Sequence, residues 1–188
     1  DIDMSEFGSG FRGIGGGYDS RIPTLIALNG GGHTMTLGQT WKEYASEPSN
    51  ARGTAWTRVG GGLFSAFTAA DGTSVSDLKL SGSIAILYYA DDGVKESRPE
   101  IGNAHLSDGN ARSFTAAGML AGYVNAESGT TQISKVSLKD VSINNNAAWP
   151  SDFAGGLIGR TKFESGASLN VENCTYSTLN VTGRANVG

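Results

Sequence analysis

A glycine followed by two apolar residues recurs along this chain, at Gly62-Leu63-Phe64, Gly118-Met119-Leu120 and Gly156-Leu157-Ile158, each time after a small residue. Downstream of each lies a glycine turn, at Asp71-Gly72, Ser128-Gly129 and Ser165-Gly166. An apolar set with one common spacing, a step of three and then of two, follows each turn: Val75, Leu78, Leu80; Ile133, Val136, Leu138; Val171, Cys174, Tyr176. Each set leads into a further alternating stretch, Ile84 and Ile86, Val141 and Ile143, Leu179 and Val181. Alternation at period two marks strands with one buried face. The shared spacing argues for one repeated structural unit.

Strands this short bury too little apolar surface singly, whereas stacking unit on unit gives a continuous core. The expected fold is all-β, a right-handed parallel β-helix (β-solenoid) forming one elongated body over residues 1–188. Leu78, Val136 and Cys174 should form one inward column, and Leu80, Leu138 and Tyr176 another. Each buried aliphatic side chain would contribute roughly 1.5–3 kcal/mol, and Cys174 reads as a small buried hydrophobe. Glycine, at 28 of 188 residues, is about twice its usual share, as many tight corners would require.

Charge and composition exclude several functions. The net charge is -4 and the 14 basic residues are scattered, so the electrostatic footprint of a nucleic-acid binder is missing. No apolar run approaches bilayer-spanning length, so no membrane insertion is expected of this chain. It opens on Asp1-Ile2-Asp3, unlike a signal peptide, so any targeting signal would lie outside it. A single Cys174 precludes an intramolecular disulfide and leaves the compartment open. The sequons at Asn173 and Asn180 read as incidental in short strands.

Four segments together carry a family likeness: Asp1-Ile2-Asp3-Met4, then Gly30-Gly31-Gly32-His33-Thr34-Met35-Thr36-Leu37, then Gly62-Leu63-Phe64, then Gly156-Leu157-Ile158-Gly159. In kind and order they resemble the GLUG-motif β-helix repeats of bacterial surface proteins, which run from a "DID" strand through "GxGHTIxG" and "GLFG" strands to "GGLVG" repeats. The likeness spans almost the whole chain. Ser65 departs from the family's usual glycine, and Met119-Leu120-Ala121 is a looser copy. Such repeats occur in adhesin-like surface proteins and in the non-catalytic part of immunoglobulin-A-specific metallopeptidases. The resemblance therefore implies a secreted or cell-surface bacterial module, and both chain ends look like cuts through a longer repeat array.

Long insertions, about 38–59, 87–116 and 144–154, enter at the same position of the unit, so stacking would place them along one edge. Insertions gathered on one side of a repeat protein are commonly its binding face. They hold all three tryptophans, Trp41, Trp56 and Trp149, together with Tyr44, Tyr88 and Tyr89. Such side chains suit recognition of a host protein or glycan; the alternative is that they pin the loops onto the stack. Asp91, Asp92 and Glu96 form an acidic cluster that is either a calcium site or a solvated loop, and its spacing fits neither an EF-hand nor a nonapeptide calcium repeat.

Catalytic signatures are missing. The sequence holds no His-Glu-x-x-His and no Gly-x-Ser-x-Gly, and its two histidines, His33 and His105, are too few for most zinc sites. His33 stands within a strand motif. Asp71, Asp77, Asp140 and Glu172 are carboxylates that could pair across units as in a polysaccharide lyase or hydrolase. Nothing in their spacing singles out an acid and a base. The reading is a non-catalytic adhesion or binding module without cofactor; the alternatives are a rigid spacer within a large surface protein or peptidase, and a carbohydrate-active enzyme.

Overall fold

The computed structural model describes residues 1–11, 13–14, 22–44, 58–89, 114–146, 152–183 and 186–187. Among them there is no α-helix, and the only helical turn is a short 3₁₀ segment, Ser5–Gly10. Thirteen strands run in chain order: β1 (Ile2–Asp3), β2 (Thr24–Asn29), β3 (Thr34–Tyr44), β4 (Arg58–Gly61), β5 (Phe64–Tyr89), β6 (Phe114–Ala117), β7 (Ala121–Ala126), β8 (Thr130–Asn146), β9 (Asp152–Ala154), β10 (Ile158–Phe163), β11 (Ser168–Glu172), β12 (Thr175–Gly183) and β13 (Asn186–Val187). Every strand pairing among the described residues is parallel. Among these residues one sheet has nine strands and the other four, in the order β13-β9-β6-β4.

Pairing follows the sequence repeat. β3 lies beside β5, β5 beside β7 and β8, β7 beside β10, and β8 beside β11 and β12. Leu78 stands opposite Val136, and Leu80 opposite Leu138, which in turn faces Tyr176. The Gly-apolar-apolar copies ladder onto one another too: Leu63 N donates to Met119 O at 2.9 Å, and Met119 N to Gly156 O at 3.0 Å. A Cβ on Gly62 would sit 2.3 Å from Gly118 O, so the close approach there admits only glycine.

The step of three inside each apolar set has a backbone cause. Asp77, Lys135 and Asn173 all adopt φ of 53–54°, turning the chain between two inward positions and adding one residue to the alternation. Asp140 and Thr178 repeat this at the next corner, both at φ 53°. In β5 that corner is one residue shorter and is made by Gly82 at φ 100°, whose missing side chain leaves room for the Leu37 carbonyl. The glycine turns at Gly72, Gly129 and Gly166 also take positive φ.

Between the sheets, Leu37, Leu63, Phe67, Val75, Leu78, Leu80, Ile84, Ile86, Met119, Leu120, Ile133, Val136, Leu138, Val141 and Ile143 form one buried cluster. Two expected core members differ. Tyr176 keeps its register but is 74% exposed, because β12 pairs on one side only. Cys174 is half-buried: its Sγ packs at the edge of the core and lies 3.5 Å from Glu172 O.

Candidate functional site

The strands run further than the sequence reading allowed. β3, β5 and β8 continue to Tyr44, Tyr89 and Asn146, and β4, β6 and β9 resume at Arg58, Phe114 and Asp152. The expected insertions are thus shorter than 38–59, 87–116 and 144–154: Trp41, Tyr44, Tyr88 and Tyr89 favour extended backbone, and each strand, Asn144–Asn146 included, has a partner in register. The strand ends fall close in register: Tyr44 stands beside Tyr89, and Asn146, beside Leu87, ends two residues earlier. So do the restarts, with Arg58 beside Phe114 and Asp152 one residue on, beside Thr115.

Four of the six candidate aromatics therefore belong to strand ends: Trp41 and Tyr44 in β3, Tyr88 and Tyr89 in β5. Register sets Tyr44 against Tyr89, Glu43 against Tyr88, and Trp41 against Ile86, which is buried. Trp56 and Trp149 lie outside the described residues, as do Asp91, Asp92, Glu96 and His105.

Two buried amides, unforeseen in the sequence, stitch this edge. Gln39, in register with Ile84, donates from Nε2 to Gly62 O at 2.9 Å and accepts from Gly62 N at 3.0 Å. Asn145, in register with Ile86, donates from Nδ2 to Phe153 O at 2.8 Å. Each joins the end of one long strand to the start of the next repeat. A polar residue at an inward position of an alternating strand was the available signal. Beside the second stitch, the Arg160 guanidinium lies over the Phe153 ring at 4.6 Å from its centroid, within cation–π range. Phe153 packs there against buried Ala116 and Tyr123 with Ile22 and Ala66.

The four carboxylates are not brought together. None is the register partner of another. Asp71 accepts from Thr130 N at 3.1 Å, Glu172 accepts from Gln132 Nε2 at 2.6 Å, and Asp77 and Asp140 occupy exposed corners. Asp3 is held below the usual carboxylate range by hydrogen bonds from the Ser5 hydroxyl and the Ser5 amide. His33 is exposed, with Nδ1 3.8 Å from Asp1 Oδ1. No group of three or more His, Cys, Asp or Glu poised for a metal occurs among the described residues. No helix among them is long and apolar enough to cross a membrane.

Outward positions carry hydroxyl and amide side chains that bond along the stacking direction, as in Thr36 to Ser81 at 2.9 Å, Thr130 to Ser168 at 2.9 Å, and Asn170 to Gln132 at 2.9 Å. Such faces can offer hydrogen bonds to a polar partner and hold no assembled acid–base pair among the described residues. No family model, curated protein or solved structure matches this chain.

Proposed function

We propose that the chain is a right-handed parallel β-helix of the GLUG-motif kind, working as a non-catalytic adhesion or binding module on a bacterial cell surface or in its surroundings. The reading rests on one observation: β3, β5 and β8 end within two residues of a common register, at Tyr44, Tyr89 and Asn146, and β4, β6 and β9 begin within one residue of one, at Arg58, Phe114 and Asp152. In a β-helix the segments between these ends and restarts would share one edge, with Tyr44 beside Tyr89 at its rim and Trp56 and Trp149 in the segments themselves. Rigid aromatic side chains on one edge of a stiff body suit recognition of a host protein or glycan.

A spacer role is the second reading, favoured by the stitches at Gln39 and Asn145 and by the register of Trp41 with buried Ile86, which devote this edge to holding repeats together. The deciding experiment is a glycan and host-protein array probed with the chain and with a Trp56→Ala/Trp149→Ala variant of equal thermal stability. A hit lost in the variant supports the binding module. Silence from the folded chain on both arrays supports the spacer.

A further inference from the structure

Stacking brings together lysines that are far apart in the sequence. Lys79 alternates with buried Leu78 and Leu80, and Lys139 follows buried Leu138, so both are exposed on the outer surface. Lys79 is the register partner of Ser137; Lys139 lies two residues on from that serine, and Lys135, at an exposed corner, two residues back. Three lysines thus flank one serine. One strand spacing of about 4.8 Å and two residues of about 3.3 Å each put Lys79 and Lys139 about 8 Å apart on the backbone diagonal. None of the three side chains forms an ion pair or hydrogen bond among the described residues, whereas Arg160 lies over Phe153 and Lys162 pairs with Glu164. Around them the outward positions carry hydroxyls: Ser81, opposite Lys139, is bonded to Thr36, and Ser137 to Thr175.

We infer that this face binds an acidic polysaccharide, its uronate or sulfate groups held by Lys79, Lys135 and Lys139 and its hydroxyls by Ser81, Ser137 and Thr175. The match is one of charge: three unpaired cations meet a chain of repeated anions. Each exposed ion pair alone is weak, so the occupant is a polymer that engages all three at once. Serine and threonine hydroxyls both donate and accept, as sugar hydroxyls do. A nucleic acid is the poorer match, because none of the outward residues around Ser137 is aromatic and able to stack a base. Asp77 and Asp140 border the face at its two corners and pair with none of the lysines. Their carboxylates oppose the polymer's charge, but the long lysine stems carry the ammonium groups further out. The site is separate from the edge at Tyr44 and Tyr89 and does not depend on it.

The test is calorimetric titration of the 188-residue chain with heparin and with polygalacturonate, at low and at physiological salt, each variant being confirmed folded by circular dichroism. The chain should bind at least one of the two, less tightly as salt rises. Lys79→Gln/Lys135→Asn/Lys139→Gln should bind roughly tenfold or more weakly, and Asp77→Asn/Asp140→Asn more tightly than the parent. Lys162→Gln, which removes a lysine elsewhere, and Trp56→Ala/Trp149→Ala should bind as the parent does. No binding of either polymer, a triple variant that binds like the parent, or duplex DNA bound as tightly as the better polymer overturns the inference. Binding lost in the tryptophan variant and kept in the triple lysine variant also overturns it, while leaving the insertion edge as the binding face.

Discussion

Gln39 and Gly62 exchange two hydrogen bonds in the interior, the side-chain amide taking both the N–H and the C=O of the glycine. The amide sits where the next repeat has Ile84 and the one after has Ile143. Gln39→Leu restores the apolar column but strands both Gly62 groups. A buried polar group without its partner costs roughly 1–3 kcal/mol, so the variant should lose about 3 kcal/mol in urea denaturation. Thr40→Ala, next to it and exposed, should stay within about 0.5 kcal/mol of the parent.

Val136 is buried, in register with Leu78 on one side and flanked on the other by the pairings of β11 and β12 with β8. Val136→Asp places a charge there without a counter-ion, which should cost about 4 kcal/mol or more. Thermal unfolding at the parent's temperature would contradict the stacked columns.

Thr131 is fully buried, and its hydroxyl has no hydrogen-bond partner. The hydroxyl of Thr73, by contrast, donates to Leu25 O at 2.8 Å and accepts from Ala70 N at 3.0 Å. Thr131→Val keeps the shape and removes the stranded group, so it should raise stability by about 1 kcal/mol. Thr73→Val should lower it.

Thr178 holds φ at 53°, a conformation costly for a β-branched residue and better tolerated by asparagine. Thr178→Asn should stabilise the fold by roughly 0.5–1 kcal/mol. An unchanged or lower midpoint in the same denaturation assay would mean that the corner does not strain the threonine.

Much of the sheet pairing was legible because burial on one face forces alternation, and identical alternation in successive units forces register. Thus Leu78, Val136, Leu80 and Leu138 could be paired from spacing alone. Of the positive-φ residues other than glycine, Asp77, Asp140 and Asn173 are of types that tolerate this conformation, whereas Lys135 and Thr178 carry no such signature; there only the step of three betrayed the corner. The exposure of Tyr176 was hidden because spacing reports which way a residue points and not whether another strand covers it. The strand ends at Tyr44 and Tyr89 were misjudged as loop for want of a register partner, which only the stacked neighbour supplies. Gln39 and Asn145 were missed because the outlying polar residue of a column was read as the end of the strand.

The most direct test of repeat-on-repeat stacking is a distance between spin labels at positions 3 and 177, with Cys174 replaced by alanine. Asp3, Thr36, Ser81, Lys139 and Ser177 are successive register partners, so four strand spacings separate the first from the last. At about 4.8 Å per spacing the backbone separation is about 19 Å, and moving the first label to position 36 should shorten it by about 5 Å. A distance that does not shorten by one strand spacing would contradict the stack.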